Sequence, residues 1–104
     1  MSDEFGTSQV PENLQALREI GPFNADTIPR GLLAEHRLKP GRWARLCLSE
    51  GELDFVWDDG SNTSEHLVAP AVIMVPPERP HHLELMGDIS VTITFMAEPE
   101  TTTD

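Results

Sequence analysis

Short segments that alternate apolar and polar side chains recur along the chain, separated by glycine, proline and aspartate at intervals of roughly ten residues. A period of two places alternate side chains on opposite faces of a strand. The predicted strands lie at residues 32–38, 43–48, 53–57, 65–68, 72–75, 81–86 and 89–95. Many short strands punctuated in this way indicate an all-β single domain, built as a sandwich or a barrel.

A proline-rich turn, Pro76–Pro80, separates two of these predicted strands. Proline fixes φ and cannot donate to a sheet ladder, so the first strand ends at the turn and the second begins in a defined direction. In that second strand His81 shares its face with two leucines, whereas His82 shares its face with a glutamate. We therefore expect His81 to point into a core or cavity and His82 to point toward water.

The chain divides into an N-terminal arm, a compact body and a tail. Residues 1–20 are predicted to form a flexible arm, and the apolar spacing within residues 13–20 favours a short helix. Residues 21–97 are predicted to form the β-barrel. Residues 98–104 are acidic and have nothing to bury, so we expect a disordered tail.

The net charge of −11, from 18 acidic and 7 basic side chains, excludes several classes of partner. Nucleic acids and anionic membranes are bound through basic clusters, so we expect neither as a partner. No apolar run approaches the roughly 18 residues of a membrane span, and the polar N-terminus is unlike a secretory leader. The single cysteine, Cys47, fits a reducing compartment, which favours a cytoplasmic protein.

Two of the four histidines, His36 and His81, share a strand face with apolar residues. Neutral imidazole is a common metal ligand, so this pair is the candidate site for a divalent transition metal such as Zn, Fe, Mn or Ni. The alternative is that each is a core histidine, bonded to the backbone or to a threonine hydroxyl. His66 and His82 are expected at the surface, because both lie beside charged residues.

Three further side chains are candidates for a chemical role. Cys47 lies on the opposite parity from the apolar face of its strand and is expected to pack rather than act as a nucleophile. Arg45 and Arg79 are candidates for contacting an anionic ligand at the barrel mouth, or they offset the local acidic field. The sequence contains neither a glycine-rich phosphate loop nor a nucleophile elbow.

A series of short motifs occurs in order between Phe23 and Phe95. They are Ala25-Asp26-Thr27-Ile28-Pro29-Arg30-Gly31-Leu32-Leu33, His36-Arg37 with Lys39, Gly41-Arg42-Trp43, Leu46 to Leu53 with Gly51 at a hairpin, and Pro76 to His81. Together they resemble the TehB/YeaR-like branch of the cupin superfamily. The resemblance implies a cupin barrel (a double-stranded β-helix, or jelly roll) over residues 21–97. It also implies a homodimer and a metal near the barrel centre.

By position, the resemblance matches His36 to the histidine that opens the first cupin motif and His81 to the histidine of the second. Glu78 stands where the second motif usually has glycine. The other positions at which the family has a histidine or an acidic residue are occupied by Leu38, Ala44 and Thr94. The set of metal ligands is therefore incomplete in the sequence.

Three functions remain open. The first is a cytoplasmic module that binds a divalent metal, a small or anionic ligand, or both. For this module the resemblance implies a role in the response to tellurite or to nitrate/nitrite stress. The second is a metal-dependent enzyme, such as a dioxygenase or isomerase acting on a small molecule. The third is a metal-free β module that associates through a sheet edge or its N-terminal arm. The sequence favours the first, because two histidines face inward and no acid–base or nucleophile set is recognisable.

Overall fold

The protein is described by a computed structural model over residues 10–99. That range holds seven strands and one 3-10 turn, at Arg30–Leu33. The strands are β1 (Gln15–Phe23), β2 (Arg42–Glu50), β3 (Glu52–Trp57), β4 (Ser64–Val68), β5 (Ala71–Val75), β6 (His81–Leu85) and β7 (Ser90–Ala97). No helix in the described range has the length and apolar character to cross a membrane. The all-β prediction is confirmed.

The strands form two antiparallel sheets that enclose one core. The first sheet has the order β1-β7-β2-β5, and the second has the order β4-β3-β6. Leu46 of β2 lies opposite Ile93 on one side and Ile73 on the other, so three apolar side chains line one row of the inner face. The second sheet contributes Leu53 and Phe55, whose side chains are fully buried. The alternating burial of β3 is the pattern of a half-buried strand, as its sequence predicted.

The helix predicted over residues 13–20 is wrong, because most of this segment belongs to β1. β1 pairs with β7 at the edge of the larger sheet, with Ile20 opposite Ile93. Leu17, which the helix would have placed on its apolar face, is half exposed at 51%. A helix propensity is a weak preference that tertiary pairing overrides. Residues 1–9 of the predicted flexible arm lie outside the described range.

The strand predicted over residues 32–38 is also wrong. The segment begins in the 3-10 turn, and within it the structure places a backbone β-bridge at His36 alone, to His81. Leu32 and Leu38 nevertheless pack against the core, so the alternation correctly identified which side chains face inward. The prolines at positions 29 and 40 flank the segment and remove two backbone donors, which disfavours a longer ladder.

The turn between β5 and β6 is fixed by hydrogen bonds to two other segments. The Glu78 N–H donates to the Leu38 carbonyl at 2.9 Å, and the Asp58 N–H donates to the Pro80 carbonyl at 2.8 Å. Glu78 has φ of +68°, in the left-handed region where glycine is favoured. The turn therefore holds the start of β6, and with it His81, against both β3 and the segment that carries His36.

The first residue of the predicted disordered tail is held by two hydrogen bonds. The Glu98 N–H donates to the Gly41 carbonyl at 2.9 Å, and the Glu98 carboxylate accepts from Trp43 Nε1 at 2.7 Å. An indole N–H on a buried tryptophan needs a partner, which accounts for this anchor. The tail prediction is therefore wrong at Glu98, and residues 100–104 lie outside the described range.

Candidate functional site

A cavity of about 150 Å³ lies between the two sheets. Strands of both sheets and the segment from the 3-10 turn to Leu38 supply its walls. The lining residues are Leu32, His36, Leu38, Ala44, Leu46, Phe55, Val75, His81, Leu83, Ile93 and Phe95. All of them are apolar except the two histidines. Any polar recognition within the cavity therefore falls to His36 and His81.

The backbone sets these two histidines side by side. The His36 N–H donates to the His81 carbonyl at 3.0 Å, and the His81 N–H donates to the His36 carbonyl at 2.9 Å. Residues paired in this way across an antiparallel bridge project their side chains to the same face. The ring centroids are 4.2 Å apart, with an interplanar angle of 66°. The structure thus brings together the two residues selected from the sequence, and their metal-binding role stays a prediction.

Each imidazole has one nitrogen already occupied. His36 Nδ1 lies 2.9 Å from the Ala34 carbonyl oxygen, and His81 Nδ1 lies 2.7 Å from the Arg79 carbonyl oxygen. A carbonyl can only accept, so each Nδ1 carries the proton and donates. In the neutral ring Nε2 is then unprotonated and has a free lone pair. This arrangement, with Nδ1–H on a carbonyl, also orients histidines that bind metals through Nε2.

The His81 ring is enclosed by aromatic side chains. Phe55 stacks on it with centroids 5.0 Å apart and an interplanar angle of 18°, and Trp57 meets it edge-on at 5.9 Å. Burial lowers the pKa of His81, the nearby His36 ring lowers it further, and the bond to the Arg79 carbonyl opposes the shift. His81 is therefore neutral at pH 7, the form in which imidazole binds a metal or accepts a hydrogen bond.

The other two histidines point away from the cavity, as predicted. His66 is half exposed and lies between Asp54 and Glu52, at 2.8 and 2.9 Å. His82 lies between Asp58, at 2.6 Å, and Glu84, at 2.9 Å, and its side chain is only 19% exposed. The hydrogen bond to Asp58, and then that to Glu84, raises the pKa of His82. Both rings use both nitrogens on carboxylates.

The two imidazoles of the cavity could hold a metal ion only if water or a ligand filled the ion's other coordination positions. In the described residues no group of three or more His, Cys, Asp or Glu side chains is arranged to hold a metal. Thr94, one of the positions where the resemblance leads to an acidic residue, is buried on the opposite face of β7, and its hydroxyl donates to Glu19 at 3.4 Å. Two oriented imidazoles with free Nε2 atoms suit an ion whose other positions take water or ligand.

Neither of the two arginines proposed for an anionic ligand lines the cavity. Arg79 pairs with Asp59 and lies over the Trp57 ring, 3.7 Å from its centroid. Hydrogen bonds from Ser61, and then from Arg79, lower the pKa of Asp59. Arg45 is exposed and lies at a non-lining position of β2, between two residues, Ala44 and Leu46, that line the cavity. Cys47 is half-buried on the same parity, consistent with packing.

Phe55 is a site residue that the sequence analysis did not single out. It lines the cavity, is fully buried and stacks on His81. The alternation of Leu53, Phe55 and Trp57 placed it correctly in the core. Its contact with a histidine depends on the pairing of β3 with β6, in which Phe55 lies opposite Leu83 and Trp57 lies opposite His81. No signal within one segment specifies that register.

A profile of the TehB-like domain matches residues 18–93. The chain belongs to the TehB-like family. No curated protein matches it. Among solved structures, a protein of Escherichia coli strain K12 is 27% identical, with a TM-score of 0.78 over 88% of this chain and 98% of the other.

Two more solved structures share the fold at lower identity. TehB from Haemophilus influenzae is 20% identical, with a TM-score of 0.75 over 84% of this chain, which spans only 32% of that protein. FeII HppE is 18% identical, with a TM-score of 0.53 over 61% of this chain and 34% of the other. At these identities the likeness shows the fold alone. The TehB-like part of the predicted resemblance is confirmed, and the fold is a small cupin-like sandwich of two sheets.

Proposed function

We propose that this TehB-like protein binds a small ligand in the cavity between its sheets, with a divalent transition metal held on Nε2 of His36 and His81. One observation carries the proposal: the two rings are adjacent, and each has Nδ1 committed to a backbone carbonyl. Metal-binding histidines are oriented by such bonds. Zn, Fe, Mn and Ni all accept imidazole, and the donor set does not choose among them.

Different residues of the cavity would bind the metal, orient its ligands and contact the bound molecule. His36 and His81 would hold the ion, and Phe55 would keep the His81 ring in place by stacking. The apolar walls would exclude water and contact the apolar part of a ligand. A bound metal would supply open positions for a polar group of that ligand. Because burial lowers the pKa of His81 below its ordinary value of 6.5, its Nε2 would be unprotonated and available at pH 7.

The wider setting belongs to the same proposal. The resemblance to the TehB/YeaR-like branch supports a role in tellurite or nitrate/nitrite stress, in the cytoplasm and as a homodimer. The fold shared with FeII HppE supports a metal in this architecture. Light scattering on the purified protein would test the dimer, with a mass near twice 11.6 kDa as the expected result.

Metal titration is the direct test. The chelator-treated protein is titrated with Co²⁺ and Zn²⁺ by calorimetry, with the visible spectrum of Co²⁺ as a second readout of nitrogen ligation. We expect about one equivalent per chain, and a loss of affinity of at least about tenfold in His36→Ala and in His81→Ala. His66→Ala is the matched control, since it removes an imidazole outside the cavity. Equal affinity in all four proteins would contradict the proposal.

Direct binding of a ligand by the two imidazoles, without a metal, is a second candidate. This candidate is favoured by the apolar character of every other lining residue. It is also favoured because no group of three or more His, Cys, Asp or Glu side chains in the described range is arranged to hold a metal. A free Nε2 accepts a hydrogen bond as readily as it binds a metal. Ligand binding that persists unchanged in excess chelator, together with the absence of metal uptake, would favour this candidate.

A further inference from the structure

A second concave surface, here called the basic groove, lies beside the cavity. It measures about 420 Å³, and four basic side chains line it: Arg18, Arg37, Lys39 and Arg42. The chain has only seven Lys and Arg residues, against 18 acidic ones. More than half of its positive side chains therefore surround one groove on a protein with a net charge of −11. Such a concentration of one sign raises the local density of oppositely charged small molecules.

The basic groove and the cavity share two walls. Leu38 and Phe95 line both of them, so the two spaces meet at these side chains. Both residues are only partly buried, unlike the fully buried Phe55 deeper in the cavity. A ligand that reached from the cavity into the groove would therefore pass at these two partly buried side chains.

The cations of the groove retain most of their capacity to bind an anion. In residues 10–99 the single ion pair that any of them makes is between Arg37 and Glu35, at 3.7 Å, and both side chains are more than half exposed. An exposed pair of this length contributes little and is easily exchanged. Arg18 lies over the Phe95 ring, 5.7 Å from its centroid, which positions its guanidinium at the shared wall. Its N–H donors are not consumed by that contact.

We infer that the basic groove is the anion-recognition subsite of the ligand cavity, and that the ligand is a small organic acid. Its carboxylate or other anionic group would lie among Arg18, Arg37, Lys39 and Arg42, and the rest of the ligand would enter the histidine cavity, where its apolar part contacts the apolar walls. A cavity of about 150 Å³ is the size that accommodates benzene in an engineered protein core. This inference rests on the proposed function, because it names the ligand class of the same cavity.

The test compares two probes of nearly equal shape, benzoate and the uncharged benzamide. Binding is followed by ¹H–¹⁵N NMR and calorimetry with the full chain. We expect benzoate to bind at least about tenfold more tightly than benzamide, and to lose that advantage as salt is added. Benzoate should shift the backbone amides of residues 37–39, 41 and 42 as well as those of His81 and Leu83. Benzamide should shift only the cavity amides.

Two variants isolate the groove. Arg37→Gln/Arg42→Gln is expected to weaken benzoate about tenfold and to leave benzamide within about twofold. Arg45→Gln is the matched control: it makes one of the same charge changes on the strand of Arg42, at an exposed position outside both linings, and benzoate should stay within about twofold. Both variants alter exposed side chains, so both are expected to fold, which circular dichroism checks.

The outcomes separate this inference from the proposed function. Equal affinity for benzoate and benzamide would overturn the anion subsite and leave the cavity as a neutral-ligand site. An equal loss of benzoate affinity in the double variant and in Arg45→Gln would also overturn it, because general charge would then account for binding. If neither benzoate nor benzamide binds, the inference is also overturned. The Co²⁺ titration of the histidine pair then tests the proposed function independently.

Discussion

The backbone groups of His36 and His81 bond to each other in both directions, at 3.0 and 2.9 Å, in an isolated bridge between the His36 segment and the first residue of β6. Two mutual hydrogen bonds are enough to set both side chains on one face. The pair is thus positioned by main chain rather than by a network of side chains. Each ring is held further by the hydrogen bond from its own Nδ1 to a backbone carbonyl, of Ala34 for His36 and of Arg79 for His81.

Phe55 is predicted to support the site through its stacking on His81. Phe55→Leu keeps an apolar residue of similar size but removes the aromatic face, so we expect a loss of about 1–2 kcal/mol in the free energy of unfolding. Metal affinity should fall several-fold because the His81 ring gains freedom. Urea denaturation and Co²⁺ titration measure the two effects.

Phe95→Leu is the control for this prediction. Phe95 lines the same cavity but is only partly buried, and no ring contact joins it to His81 among the described residues. It should cost less stability and leave Co²⁺ affinity unchanged. The same fall in metal affinity in both variants would show that cavity shape, and not stacking, supports the ring.

Glu78→Gly is predicted to stabilise the protein. Glu78 has φ of +68°, which costs a residue with a Cβ about 1–2 kcal/mol relative to glycine. Part of this gain is offset by the greater entropy of glycine in the unfolded chain. We therefore expect a net gain of about 1 kcal/mol, or roughly 4–8 °C in Tm.

Glu65→Gly is the control for Glu78→Gly, and we expect it to change Tm in the opposite direction. Glu65 is exposed in the middle of β4, where glycine weakens a strand, so its Tm should fall. Differential scanning calorimetry at pH 7 measures both. A decrease of Tm in Glu78→Gly would mean that the carboxylate side chain stabilises the turn by more than the backbone conformation costs.

Gly51→Ala is predicted to be among the most damaging small substitutions. Gly51 has φ of +85° in the turn between β2 and β3, and an added Cβ would lie 2.2 Å from the Asp88 carbonyl oxygen and 2.9 Å from Ile89. Both neighbours would have to move, and the oxygen belongs to the backbone. We expect a loss of about 3 kcal/mol or more, from backbone strain and steric overlap together.

Gly60→Ala separates these two effects. Gly60 has nearly the same φ, +87°, but no atom lies within 4 Å of the point that an added Cβ would occupy, so only backbone strain remains. Its cost should be about 1 kcal/mol. Chemical denaturation of both variants gives the comparison. Equal costs at positions 51 and 60 would show that the turn beside Asp88 can open to admit a methyl group.

The sequence was informative where a signal lies within one segment. Alternation identified β2, β3 and β7, and it correctly predicted that His81 faces inward with the leucines of its strand. The proline-rich turn correctly predicted where β5 ends. It failed where pairing decides the structure. β1 is a strand because the edge of β7 is available to it, and His36 is placed by a single bridge rather than by a strand.

The basic groove shows the same limit. Residues 37–42 hold three of the seven basic side chains, a concentration visible in the sequence. Nothing in the sequence indicated that Arg18 joins them, because that depends on Arg18 of β1 lying opposite Phe95 of β7. Charge alone made Arg45 and Arg79 candidates for an anionic ligand. Strand parity turns Arg45 away from the cavity, and the aspartate at position 59 engages Arg79.

His66 is predicted to make stability depend on pH. Its hydrogen bond to Asp54 raises the pKa of His66 above its ordinary value of 6.5; desolvation opposes this rise, and the hydrogen bond to Glu52 adds to it. Glu84 on β6 lies opposite Asp54 and adds a further negative charge. Because the folded pKa is higher than the unfolded one, the stabilisation is fully present below about pH 6.5. It is lost as pH rises through the folded pKa.

His66→Gln should therefore lower Tm more at pH 5.5 than at pH 9, since only the protonated ring can donate to both carboxylates. His66→Lys is the control, because its charge persists across this window and its Tm difference from His66→Gln should stay nearly constant. His82 is unchanged in all three proteins, so its own titration cancels in the comparison. A penalty for His66→Gln that is equal at both pH values would mean that the ring stabilises this face without its charge.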